Sequence, residues 1–142
     1  MDQYLIVAGR FNEMVSRSLV EGALQTFEEN KIGKDQLNTI WVPGAFEIPV
    51  IAAKAARSKK YRAIICLGAV IRGDTAHFEY VAGPCASALM NIGVETEVPV
   101  VFGVLTVDTV EQALNRAGLK LGNKGSEAVH TALATVHALD KV

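Results

Sequence analysis

The sequence predicts an α/β fold: a three-layer αβα sandwich on a four-stranded parallel sheet. Three observations carry this. Short apolar runs alternate along the whole chain with longer segments of helical period. The runs lack the polar alternation of a half-solvated strand, so both their faces are covered. Each run is followed by a helical segment, the order of a βα-repeating chain.

Taken in order, Tyr4 to Ala8 (YLIVA) reads as the first buried strand. Met14, Val15, Leu19, Ala23, Leu24 and Phe27 recur at three- and four-residue steps, which marks an amphipathic helix. A polar turn around Gly33 leads to the second strand, Leu37 to Val42, stopped by Pro43-Gly44. A helix carrying Ile51, Ala52, Ala55 and Ala56 precedes strand three, Ala63 to Ile71. An Ala-rich helix from about Val81 to Ile92 precedes strand four, Val98 to Leu105. A short helix from about Thr109 to Ala117 meets Gly118 and Gly122, and a last helix spans about Lys124 to Leu139. Pro49 falls near a helix start, where proline is tolerated, whereas Pro84 marks a late start or a kink. Right-handed crossovers turn this order into a doubly wound, flavodoxin-like topology. So small a sheet leaves two edges that need cover from elsewhere.

With 142 residues the chain makes one domain, residues 1–142, large enough for a proper core. Fourteen basic residues against fifteen acidic ones give a net charge of −1, which argues against binding nucleic acid by phosphate neutralisation. No apolar run reaches the roughly 18 residues of a membrane span, and the Asp-Gln-Tyr start is unlike a signal peptide. The expected location is the cytoplasm, with no membrane partner. Mean hydropathy is +0.25 although aromatics make up only 6% of the chain, so the excess is Ala, Val, Ile and Leu. Burial against further copies of the chain accounts for it better than a monomer does. Cys66 and Cys85 form no CxxC pair and read as reduced core thiols.

In an open parallel sheet, ligands bind beyond the carboxyl ends of the strands. The segments leaving those ends are Gly9-Arg10-Phe11-Asn12, Pro43-Gly44-Ala45-Phe46-Glu47 and Arg72-Gly73-Asp74-Thr75-Ala76-His77. They bring two flat apolar faces, a carboxylate, a Gly-Asp-Thr turn and an imidazole to one rim, which suits a flat heterocycle plus an anion. The Gly73-Asp74-Thr75 turn opens into a helix, so its N–H groups and the Thr75 hydroxyl can hold a phosphate. An ordinary N-cap accounts for the same residues. An imidazole in a polar rim loop, as at His77, suits proton transfer near neutral pH. His130 and His137 lie on one side of the last helix with no third ligand in register, so no metal site is expected. Arg116 and Lys124 flank a glycine-rich kink that serves either as a plain helix stop and start or as an anion clamp. Because Arg116 follows a helix running back from the rim, a site that uses both it and His77 takes Arg116 from an adjacent subunit.

Four blocks in order resemble the lumazine synthase family of riboflavin biosynthesis over nearly the whole chain. They are residues 42–49 (VPGAFEIP), 68–80 (GAVIRGDTAHFEY), 102–106 (FGVLT) and 116–125 (RAGLKLGNKG). The resemblance implies a transferase that uses no cofactor and condenses a ribityl-bearing diaminopyrimidine with a dihydroxybutanone phosphate. It implies that Phe11 stacks on the pyrimidine, that Ala45, Phe46 and Glu47 hold the ribityl chain, and that the Val70-Ile71 backbone reads the ring edge. Thr75, the Gly73-Asp74 backbone and Arg116 take the phosphate, and His77 shuttles protons. Phe102, Lys124 and Arg116 come from the neighbouring subunit of a homopentamer, where Glu127 orients Arg116. The resemblance leaves open whether pentamers pair or close into an icosahedral capsid, and it names riboflavin synthase as a candidate protein partner. Many relatives carry about one more strand before the first motif, which pairs with a neighbour's sheet. Three rival readings are an FMN-binding flavodoxin-like module, a pentameric riboflavin synthase and a purely structural shell protein. The first would want a Ser/Thr-rich loop after strand one, where this chain has Gly9-Arg10-Phe11-Asn12.

Overall fold

A computed structural model describes residues 1–73 and 77–142. Its strands are β1 (Tyr4–Gly9), β2 (Leu37–Val42), β3 (Ala63–Ile71) and β4 (Val100–Val107). Its α-helices are α1 (Glu13–Glu29), α2 (Ile48–Arg57), α3 (His77–Thr96), α4 (Val110–Asn115) and α5 (Lys124–Leu139). All strand pairs are parallel, in the order β2-β1-β3-β4. The predicted doubly wound sandwich is what forms.

Each central strand feeds two apolar layers because successive side chains alternate in direction. From β1, Tyr4, Ile6 and Ala8 point toward α1 and α5, while Leu5 and Val7 point toward α2 and α3. From β3, Ile65, Leu67 and Ala69 join the first layer and Ile64, Cys66 and Val70 the second. Residues Leu5 to Ala8 and Ile64 to Leu67 are wholly buried, which is why their sequence shows no alternation. β2 and β4 are the edges, and β2 is mostly only half-buried.

Local differences from the sequence reading have physical causes. α1 buries Val15, Leu19, Val20, Ala23 and Phe27, but Met14 and Leu24 face solvent. At 100° per residue, Met14 falls opposite the centre of that stripe. α3 is described from His77 rather than Val81, which leaves Pro84 inside the helix. Packing of Val81, Ala82, Cys85, Leu89 and Ile92 against the sheet offsets a penalty of about 3 kcal/mol for an interior proline. β4 starts two residues later than expected, at Val100, after Pro99 has accepted the Ile64 N–H at 2.9 Å. Pro49 sits in the first turn of α2.

The α1–α5 contact is close. A Cβ on Gly125 would lie 1.9 Å from the Leu19 carbonyl oxygen, so only glycine lets the two backbones meet. The Asn123 side chain reinforces the contact. It accepts from the Gly125 and Ser126 N–H groups at 2.8 and 3.1 Å and donates to the Ser18 carbonyl at 3.0 Å. Gly125→Ala should therefore destabilise the fold by roughly 1–3 kcal/mol, the range for overpacking a tight contact. Urea unfolding checks this: an unchanged midpoint would show that the helices part freely.

Both cysteines are free and buried in the α2–α3 layer. Burial pushes the Cys66 thiol far up, and pushes Cys85 up to about 11. Since a raised pKa depletes the reactive thiolate at pH 8, neither should react with a disulfide reagent while the protein is folded. Both should react promptly in denaturant. Fast labelling of native protein would contradict the packing described.

Candidate functional site

β3 is nine residues long and β1 only six, and their pairing ends at Ala8 and Leu67. Gly68 to Ile71 therefore continue beside β4, and among the described residues no strand pairs with them on the β1 side. A cleft of about 710 Å³ fills that space, lined by Phe11, Asn12, Ala45, Phe46, Glu47, Ala69, Val70, Ile71, His77 and Val81. The Gly68–Ile71 backbone groups that would have paired with β1 face this side.

The walls come from the ends of β1 and β2, tied together by backbone bonds. Arg10 N–H donates to the Val42 and Pro43 carbonyls at 2.8 and 3.0 Å, and Phe11 N–H donates to Pro43 at 2.9 Å. Gly44 has no Cβ because the Phe11 ring occupies its place: an added carbon would lie 2.4 Å from that ring. Phe11 and Phe46 are each 66% exposed, two aromatic faces held open at one rim. Glu47, half-buried, ends the short 3₁₀ turn Ala45–Glu47 that opens α2.

Asn12 is a cleft residue the sequence reading passed over. Its φ of 61° and ψ of 52° are left-handed, a conformation in which Asn is among the few tolerated non-glycine residues. It turns the chain from Phe11 into α1, and its carbonyl accepts from Val15 and Ser16. An Asn directly after a strand-ending Gly-Arg-Phe was the available signal.

Phe102, Arg116, Lys124 and Glu127 meet in a second cleft, of about 570 Å³, between the β4 edge, α4 and α5. Arg116 is the C-cap of α4, and its carbonyl accepts from Lys124 N–H at 2.8 Å. Gly118 (φ 113°) and Gly122 (φ 80°) close the intervening turn through a 2.9 Å hydrogen bond, a conformation that favours glycine. The plain stop-and-start reading of this kink thus holds, and it also sets two cations side by side. Arg116 and Glu127 share the cleft, but among the described residues no ion pair joins them. A smaller groove, of about 320 Å³, continues along the β4 edge past Phe102, Lys124 and Glu127 to Thr135.

Among the described residues none lines both main clefts. Ile71 and His77 face the first, while their neighbours Arg72 and Phe78 face the second. Arg72 is the other residue the sequence reading passed over. Its Nη1 donates to Glu79 at 2.6 Å and its Nε to Asp108 at 2.9 Å. The hydrogen bond from Arg72 holds the Glu79 carboxyl below its usual range. Gly73 is exposed at the end of β3, and the expected phosphate ligands Asp74 and Thr75 lie outside the described residues. His130 and His137 are exposed on α5. Among the described residues no helix is long and apolar enough to cross a membrane.

Comparison with known proteins follows the same segments. Residues 2–140 match the family model described as 6,7-dimethyl-8-ribityllumazine synthase. A curated protein of that name from Protochlamydia amoebophila (strain UWE25) is 52% identical over 137 residues, spanning 96% of this chain and 80% of the relative.

Proposed function

This chain belongs to the 6,7-dimethyl-8-ribityllumazine synthase family, and from that premise we propose that its two clefts are complementary halves of one active site. The enzyme is a transferase. It condenses 5-amino-6-(D-ribitylamino)uracil with 3,4-dihydroxy-2-butanone 4-phosphate to give 6,7-dimethyl-8-ribityllumazine, releasing phosphate and water, in the penultimate step of riboflavin biosynthesis.

In this reading the first cleft takes the pyrimidine. Phe11 stacks on the ring, the open backbone at Val70 and Ile71 meets its polar edge, and Ala45, Phe46 and Glu47 receive the ribityl chain. The second cleft of a neighbouring subunit closes over it. That subunit brings Phe102 and Lys124 against the substrate and Arg116, oriented by Glu127, to the phosphate, which also meets Gly73, Asp74 and Thr75. His77 then moves protons as the pyrimidine amine forms an imine with the ketone, phosphate leaves and the ring closes. A positioned acid–base group typically contributes 10²–10⁴-fold. Fixed cations and N–H donors stabilise the departing phosphate, and holding two substrates in register supplies much of the rest.

The observation that carries this reading is that His77 and Arg116 line different clefts, which have no lining residue in common among the described residues. A head-to-tail contact joining unlike clefts propagates around a closed ring, and five is the number the family resemblance implies. The open β4 edge and its groove, which a partner would cover, support the same arrangement. The whole chain, residues 1–142, acts as one functional domain. Buried free thiols suit a reducing compartment, which supports a cytoplasmic enzyme.

His77→Ala should lower kcat by about 100-fold, the low end of that range, with pyrimidine affinity nearly intact. Arg116→Ala should weaken the phosphate substrate or abolish turnover. Co-assembled chains bearing one lesion each give the stronger test. Random mixing in a ring leaves about a quarter of shared sites with both groups intact, so activity rises above that of either parent. Steady-state assays of lumazine formation on sized fractions check all three. Mixed rings no better than the average of their parents, or a fully active monomer, would refute the shared site.

A further inference from the structure

None of the roles above uses Arg72, although it links the two clefts. Its fork donates to Glu79 and Asp108 at once, and its guanidinium carbon lies 4.3 Å from the centroid of the Phe78 ring. Its backbone N–H donates to the Val107 carbonyl at 2.8 Å. Glu79 stands in the first turn of α3, two residues after His77. On the other side, Asp108 N–H donates to Gln112 Oε1 at 2.8 Å. Gln112 completes the capping box with Thr109 that starts α4, and α4 ends at Arg116. A single planar cation thus ties the helix start bearing His77 to the strand end and cap that set the course of the helix ending at Arg116.

We propose that Arg72 is a positioning residue for the condensation, holding His77 and Arg116 of one chain in fixed relation. This rests on the roles given to those two residues above. Fold stability is a poor explanation for the cluster, because Arg72, Glu79 and Asp108 are all exposed and exposed ion pairs contribute little. The β3–β4 ladder already fixes the strands as far as Ile71 and Val107. What the ladder leaves unset is the direction of the chain beyond those residues, and that is where Arg72 acts. The arrangement also needs arginine itself. Two carboxylates and an aromatic face are met together by a planar fork and not by an ammonium.

Arg72→Ala and Arg72→Lys test this, with Arg62→Ala as a control that breaks a 2.8 Å ion pair to Asp140 at the opposite end of the sheet. Arg72→Ala should lower kcat roughly 10- to 100-fold and raise KM for the phosphate substrate, the cost of a small misplacement of catalytic groups. KM for the pyrimidine, the melting temperature and the assembly size should stay near wild type, as should every property of Arg62→Ala. Arg72→Lys should recover little of the loss. Should Arg72→Ala fail to fold, Glu79→Gln and Asp108→Asn each remove one partner's charge and should lower kcat by smaller steps. Wild-type kinetics in Arg72→Ala would overturn the proposal. So would full rescue by lysine, or a parallel fall in pyrimidine binding, melting temperature and assembly. If His77→Ala and Arg116→Ala are impaired while Arg72→Ala is not, only this inference fails; if those two are themselves unimpaired, the shared-site reading fails first.

Discussion

The candidate site depends on a mismatch in strand length. β1 leaves the sheet at Gly9 while β3 runs on to Ile71, and among the described residues no strand pairs with the edge left beyond Leu67. Backbone groups on such an edge favour water or a ligand that can pair with them, since a buried amide left unpaired is costly. The same extension makes alternating residues face opposite ways at the rim. Ile71 turns to the cleft lined by Phe11 and Phe46 and Arg72 to the one lined by Arg116 and Lys124, so the pleat of one strand separates two environments. Phe11 and Phe46 are then placed by the shorter strands ending where they do.

The sequence makes the buried centre easy to read and the rim hard. β2, β3 and α5 form over the expected residues: the Pro43-Gly44 stop bounds β2, the apolar run of β3 reports burial directly, and a cap-to-helix pattern opens α5. The start of α3 was placed too late because Pro84 is a strong local signal and the packing that overrides it is tertiary. Of the site, the aromatic and acidic residues at strand ends were legible from topology alone, as was the separation of Arg116 from His77. Arg72 was not. Its partners lie 7 and 36 residues away and meet it only after β3 and β4 have paired, and no periodicity encodes such a meeting. Asn12 escaped because a left-handed backbone is specified by the fold around it, with only the residue type as a hint.

Edge strands, open aromatics and apolar excess point to one physical account. Phe11, Phe46, Leu119, Leu121, Met90 and Val94 are exposed in a chain whose centre is densely packed, and β4 ends the sheet without a partner. Left open, such surface invites uncontrolled pairing, and the closed ring of copies proposed above would remove the hazard by covering it.

Covering the edge also changes what the cations can do. Arg116 in this chain is exposed, and an exposed guanidinium opposite an anion gains little, because water competes and screens. Enclosed in a cleft from which water is excluded, the same charge acts at a much lower effective dielectric, where fixed dipoles and cations stabilise a leaving phosphate strongly. In the proposed shared site, assembly would therefore supply the environment in which these polar residues act, besides bringing them together. A site of this kind needs no deep pocket within one chain. It needs two shallow halves of complementary chemistry, each too open to work alone, and an internal link that keeps the halves of one chain in register with those of the next.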